Sequence, residues 1–363
     1  MTTPTQGTVR TSYREISLYA PDRTPCRIDL SDNTNAWGLP PSAMRVVIGA
    51  GASTVTRYPT LYSADLKEAL AEYLGVSRDM LTTGCGSDDV LDSALRACAE
   101  PGDRIAYADP TFPAIPIFAL MNGLVPVPVR MTRAYHLDVD ALLATDARII
   151  YLCSPNNPTG SSLARTSLET IVTAARADQF VIVDEAYAEF AGVTSVDLIG
   201  GCDRLLVTRT MSKAFGLAGL RVGYGVGSPA LIAEVEKSRG PYKVNALAER
   251  AAVAALRDGM DWVREHIVLS NTNRDRLSLE FGRRGLGPVR SAANFVFLPI
   301  ANAATIARAM RDRGVAVRPF EGLPAISPAL IATGGGALRF SVGPWEQLCE
   351  ALDAFDEARR PCE

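Results

Sequence analysis

The chain has 363 residues, of which 47% are hydrophobic and 21% charged, enough for about two globular domains with a large core. A formal net charge of -3 and the lack of any concentrated basic run exclude an electrostatic footprint for nucleic acid or an anionic membrane and point to a small-molecule partner. The seven cysteines are scattered without a C-x-x-C pair and there are only two histidines, so neither a disulfide framework nor a metal centre is expected.

The first stretch, "MTTPTQGTVRTSYREISL", has no apolar signal segment, and the most apolar stretches are too short and proline-broken to span a bilayer, so a cytoplasmic location without membrane partners is expected. From about residue 60 to 240, short apolar runs alternate with helical patterns, as in a mostly parallel sheet covered by helices. In chain order, "TTGCGSDDV" reads as a loop leading into an amphipathic helix. Strands are predicted at 104–108, 124–130, 147–153, 180–184, 204–209 and 221–226. After "SRGPYKVN" an arginine-rich helical region runs to about 285. "ANFVFLPI", a helix near 303–313, "GVAVR", "ALRFSVG" and a last helix follow, as in a smaller α+β domain. "SPALIATGGGA" (327–337) reads as a mobile loop. The resulting division is an N-terminal arm over 1–44 that joins the small domain, a large domain over 45–243 and a small domain over 244–363.

Chemistry concentrates in four places. "FVIVD" ends in Asp184, with Tyr187 three residues on, where ligands of open α/β sheets bind; alone, such an aspartate more often caps the next helix or turn. "SPNNPTG" breaks the preceding strand and can present the amide of Asn157, though turn chemistry explains most of it. "GCGSDD" frees the backbone at Gly86, Ser87 and Asp88 at a helix start, suited to a phosphate but lacking both the Walker and the dinucleotide spacings. In "TRTMSKAFGLAGLRVGYG", Lys213 stands among hydroxyls and glycines, with Arg221 eight positions on. The chain holds 33 arginines and only four lysines, and a guanidinium is no nucleophile. An amine, a buried acid, a phenol and a phosphate cradle together describe a site for pyridoxal phosphate.

The order and spacing of "LSDNTNAWGLPPS", "RYPT", "GCGSDDV", "DPTFPAI", "SPNNPTG", "VDEAYAEF", "TMSKAFGLAGLRVGY", "RGPYKVNALA", "NFVF" and "LRFSVG" resemble the fold-type I pyridoxal-phosphate aminotransferases, particularly the histidinol-phosphate aminotransferase branch. The resemblance runs nearly end to end. It implies an α/β fold with a large domain built on a mostly parallel seven-stranded sheet sandwiched by helices, and a smaller α+β domain. It assigns Lys213 as the lysine that carries pyridoxal 5'-phosphate, Asp184 as partner of the pyridine nitrogen, and Tyr187 with Asn157 as donors to the ring oxygen. Gly86, Ser87, Asp88, Thr210, Ser212 and Arg221 would hold the phosphate, and Phe112 would stack on the ring. Tyr58 would reach the cofactor of a neighbouring subunit, implying a homodimer with shared sites. Arg339 matches the carboxylate grip, with Asn35 and Asn294 near it, while Tyr19 and Arg318 match positions that contact a substrate phosphate.

The reaction so implied is ping-pong exchange of an amino group between an amino acid or amine and a 2-oxo acid such as 2-oxoglutarate. Decarboxylation of a (phosphorylated) amino acid on the same scaffold is the alternative, and a non-catalytic binding protein a third. Departures from the family pattern, "NTNA" followed by Trp37 and a longer stretch between Arg318 and Arg339, lie around the substrate rather than the cofactor.

Overall fold

The computed structural model describes residues 9–10, 13–14, 16–18, 20, 22 and 24–360. Its strands are β1 (Ile28–Leu30), β2 (Leu81–Cys85), β3 (Arg104–Asp109), β4 (Val125–Arg130), β5 (Ile149–Cys153), β6 (Phe180–Asp184), β7 (Leu205–Thr210), β8 (Val222–Val226), β9 (Phe295–Pro299), β10 (Val315–Phe320) and β11 (Ala337–Ser341). Seven form a large sheet in the order β2-β8-β7-β6-β5-β3-β4. All its pairings are parallel except those of β8, which runs against both neighbours.

Two strands show how sequence suits position. "FVIVD" is buried along its whole length in the middle of the sheet, so it carries a continuous apolar run rather than an alternating one. "VPVPVR" carries two prolines that cannot donate to a ladder, and β4 is an edge strand paired only with β3. Apolar side chains fill both faces of the sheet. Leu152, Val183 and Val207 lie in one core, and Tyr151, Ile182 and Leu206 in the other.

A four-stranded sheet in the order β1-β10-β11-β9 forms the smaller body, its β1 supplied by the N-terminal segment and parallel to β10. The helices Ala303–Arg311 and Trp345–Ala358 cover it, packing Ile306, Met310, Leu348 and Phe355 against Val296, Leu298 and Phe340.

The structure departs from the sequence reading in three places. "LTTGC" is a strand rather than a loop, because β8 pairs with it along its full length. Within 327–337 a short helix, Pro328–Ala332, forms where a loop is expected; Ser327 Oγ caps it by accepting from the Leu330 N–H. The helix Ala246–Asp258, in the segment assigned to the small domain, buries Ala248, Ala251, Ala252 and Ala255 in the core of the large one, against the helices Pro41–Ile48 and Ala64–Leu74.

Candidate active site

The carboxyl ends of β2, β5, β6 and β7 meet along one edge of the large sheet, and the segments leaving them carry the chemical groups. Asp184 is the last residue of β6 and only 3% exposed. Its Oδ2 accepts from the Tyr151 hydroxyl at 2.7 Å and its Oδ1 from the Ala186 N–H at 3.1 Å. Burial pushes its carboxyl up to about 6, against the pull of the Tyr151 hydrogen bond.

Lys213 follows β7. Its Nζ donates to the Asp32 carbonyl at 2.8 Å and lies 6.0 Å from the centre of the Tyr187 ring. Burial, then the charge of Arg339, bring the amine down to about 7, so a large neutral fraction exists at ordinary pH. The Tyr187 hydroxyl accepts from Asn33 Nδ2 at 3.0 Å, and its ring meets Phe295 edge-on at 5.2 Å. Burial pushes that phenol up to about 12, keeping it a donor.

Of the paired asparagines, Asn156 is structural: it donates to the Pro110 carbonyl and accepts from Thr111. Asn157 Oδ1 instead accepts from Arg339 Nη1 at 2.5 Å. Arg339 Nη2 also donates to the Ser31 carbonyl at 2.7 Å, and its guanidinium lies 5.4 Å from the Phe295 ring and 5.7 Å from the Phe320 ring. Asn294 Nδ2 donates to the Asn33 carbonyl at 3.0 Å, and its buried Oδ1 has no partner among the described residues. Arg318 stands beside Arg339 as its register partner across β10 and β11.

The helix Gly86–Cys98 begins directly after β2, so the N–H groups of Ser87 and Asp88 have no partner within the helix. Gly86 has φ +81°, and a Cβ there would lie 2.5 Å from Arg221 Nη2. Gly223 must be glycine for the same reason: its Cβ would come within 2.1 Å of the Ser87 nitrogen. Arg221 Nη2 pairs with Asp88 at 3.2 Å, and its Nη1 reaches Ser212 Oγ at 3.5 Å; Thr210 donates to the same hydroxyl at 2.9 Å. Helix-start N–H groups, hydroxyls and a guanidinium with no room for a side chain form an anion cradle. It is joined through β6 and β7 to a buried acid and an amine with a lowered pKa, so the residues present fit pyridoxal phosphate.

The other expected residues are held as follows. Asn35 Nδ2 is fastened to the Ala214 carbonyl at 3.1 Å, at the flank of Lys213. Phe112 is half-buried on the cluster that includes Tyr107, Tyr151 and Ile182. Tyr58 is 82% exposed, stacked on Tyr242 at 4.8 Å and outside the cluster around Lys213. Trp37 turns its edge to His266 at 5.9 Å, so it packs on the helix Met260–Arg283. Tyr19 lies outside the described residues.

Sequence reasoning missed three contributors. Tyr151 and Asn33 hold Asp184 and Tyr187, as described. Behind them Arg209, on the fully buried β7, pairs with Glu185 at 2.8 Å and Glu189 at 3.6 Å. An arginine in the middle of a strand of apolar and hydroxyl residues is the signal that could have revealed this ion pair.

A two-domain α/β fold whose strand ends gather an acid, an amine and a phosphate cradle is that of a pyridoxal-phosphate enzyme. The chain belongs to the aminotransferase class I and II family, whose profile matches residues 27–355. It is 32% identical to a histidinol-phosphate aminotransferase of Thermoanaerobacter pseudethanolicus over 354 residues, 96% of each chain. It is 37% identical to an aromatic amino acid aminotransferase of Rhodococcus jostii over 319 residues, 86% of this chain and 88% of the other. The structure of a histidinol-phosphate aminotransferase from Sinorhizobium meliloti in complex with pyridoxal-5'-phosphate superposes with a TM-score of 0.86 at 26% identity, covering 98% of each chain. The protein is accordingly a transaminase that depends on pyridoxal 5'-phosphate. No helix among its described residues is long and apolar enough to cross a membrane.

Proposed function

We propose that the protein transfers an amino group, by a ping-pong mechanism, from a donor resembling histidinol phosphate, an aromatic amino acid or a specialised-metabolite amine to a 2-oxo acid such as 2-oxoglutarate. The observation that carries this reading is the placement of Arg318 and Arg339 as register partners on one sheet face, next to the cluster around Lys213. Two guanidiniums side by side suit a substrate with two anionic groups, or one phosphate shared between them. Arg339 grips the α-carboxylate of an amino or 2-oxo acid. Arg318 meets the second anion, which is the side-chain carboxylate of a dicarboxylic acceptor or the phosphate of a phosphorylated donor.

Pyridoxal phosphate, when bound, supplies an electron sink for the carbanion at the substrate Cα. Asp184, by remaining ionised, would hold a positive charge on the pyridine nitrogen. Tyr187 and Asn157 orient the ring oxygen, and the Gly86–Asp88 backbone with Arg221 fixes the phosphate. Lys213 would hold the cofactor's aldehyde carbon, and its Nζ, when free, would carry the proton between substrate Cα and that carbon, a task suited to an amine whose pKa lies at about 7. Decarboxylation finds no support among the relatives, whose names describe amino-group transfer. We assign the active unit as a homodimer, with Tyr58 entering the neighbour's site.

The test is a donor panel scored by the spectral change of the bound cofactor on accepting an amino group. Histidinol phosphate, phenylalanine, tyrosine and small polar amines would be compared in the parent chain and in Arg318→Ala. Selective loss of the phosphorylated donor in the variant supports the role of Arg318. Equal rates in both proteins for every substrate would remove it.

A further inference from the structure

Tyr135 is the least expected residue near the substrate face. It sits in a tight turn after β4, closed by Tyr135 N–H to the Thr132 carbonyl at 3.0 Å and Thr132 N–H to the His136 carbonyl at 2.8 Å. Its φ is +61°, a conformation that bulky L-residues avoid unless their surroundings hold it. Its side chain enters an apolar cluster shared by the two domains, with Ala108 and Met131 on the large-domain side and Phe297, Ile326, Leu330 and Ala337 on the small-domain side.

There its hydroxyl lies 2.6 Å from Ser327 Oγ, the same oxygen that caps the helix Pro328–Ala332. That helix belongs to the connection 321–336, which joins the strand carrying Arg318 to the strand carrying Arg339. The connection is closed at its base by the Leu323 N–H donating to the Gly335 carbonyl at 3.1 Å. The Tyr135 ring also meets Phe297 edge-on at 6.4 Å, and Phe297 meets Phe320 at 6.1 Å. Phe320 lies under the Arg339 guanidinium, and Phe297 is the β9 register partner of Arg339, so both rings share its sheet face. An unbroken path of aromatic contacts therefore links a strained turn of one domain to the cation of the other.

We propose that Tyr135 is a positioning residue for substrate binding: tied to Ser327, it holds the 321–336 connection in place and, through Phe297 and Phe320, sets the guanidinium of Arg339. This rests on the reading of Arg339 as the carboxylate grip. None of these contacts of Tyr135 involves Asp184 or Lys213, so its loss changes how substrate is held and leaves the chemical step unaltered. The effect is common to every substrate with an α-carboxylate, unlike that of Arg318, which depends on the second anion.

The test uses the cofactor-loaded full chain with Tyr135→Phe, Ser327→Ala and their combination. Removing one buried hydrogen bond is expected to raise KM for both amino donor and 2-oxo acid about three- to tenfold, with kcat and cofactor affinity within about twofold of the parent. Amide protection over residues 323–333 falls in both single variants, and the double variant adds little to either. Unchanged KM in both single variants, or a loss confined to kcat, overturns the proposal. Arg339→Lys is the separating control. If it raises KM while the Tyr135 and Ser327 variants do not, the grip stands and the positioning role falls. If it leaves KM unchanged, the grip itself falls and the positioning role with it.

Discussion

The hydroxyl of Tyr151, on β5, donates a 2.7 Å hydrogen bond to Oδ2 of Asp184 at the end of the neighbouring β6. This is the strongest side-chain support for a carboxylate that burial drives towards its neutral form. Tyr151→Phe removes that donor and raises the Asp184 pKa further above about 6. The acid limb of the kcat/KM profile is expected to move up by about one pH unit, with activity recovered on the alkaline side. Asp184→Asn is expected to keep the cofactor yet lose about a hundredfold or more in kcat, since an amide cannot hold the positive pyridine as an anion does. Near-normal rates in Asp184→Asn would contradict its role.

The amine of Lys213 titrates at about 7 in the folded chain, below its ordinary value of 10.5. Between those values the unfolded chain binds more protons than the folded one, so stability of the cofactor-free protein rises with pH across that interval. Lys213→Met removes the group. Thermal melts of the two proteins should therefore differ by an amount that shifts in favour of the parent as pH climbs from about 7 towards 10. A difference independent of pH would show that the lysine is not buried as described.

Gly86→Ala and Gly223→Ala place a methyl where Arg221 and the Ser87 nitrogen already stand. Each is expected to weaken cofactor binding at least about tenfold in a titration, while a control at Gly219, where a Cβ meets nothing within 4 Å, leaves it unchanged. Equal affinity in all three variants would place the phosphate elsewhere.

Arg209→Met leaves Glu185 and Glu189 buried without their cation. The expected loss is about 3–5 kcal/mol in denaturant unfolding of the cofactor-free protein, partly recovered when Glu185→Met is added. No change in the single variant would mean that the ion pair is dispensable.

Subunit mixing tests the shared site. Lys213→Met and Tyr58→Ala chains should each be impaired alone, but hybrids hold one site with both native residues. Refolding them together is expected to restore activity to about a quarter of the parent's when chains are equal. Activity no greater than the sum of the separate variants would confine Tyr58 to its own surface.

The parts of the site that lie within one continuous stretch were legible before the fold was known. "FVIVD" matches β6 residue for residue, because a short, wholly apolar run ending in an acid at a sheet centre has few other placements. Lys213 and Arg221 are set by one turn and one short strand, and Gly86 by a helix start. Contacts made across strands were not legible. Tyr151 supports Asp184 only because β5 and β6 are adjacent in register, and Asn33 reaches Tyr187 from 154 positions away in the chain. "LTTGC" lacks a strand's apolar pattern and takes its form from β8, which follows it by about 140 residues. The short helix at Pro328–Ala332 was hidden by three glycines and is held by Ser327 and Tyr135, a long-range contact.

The central claim is that Lys213 bears the cofactor. Reduction of the loaded protein with borohydride would fix the cofactor to its lysine, and peptide mass spectrometry would locate it among the four lysines of the chain. The pyridoxyl group is expected on the peptide containing Lys213, and on no peptide in Lys213→Met. A label on Lys67, Lys237 or Lys243, or one that survives loss of Lys213, would contradict the account.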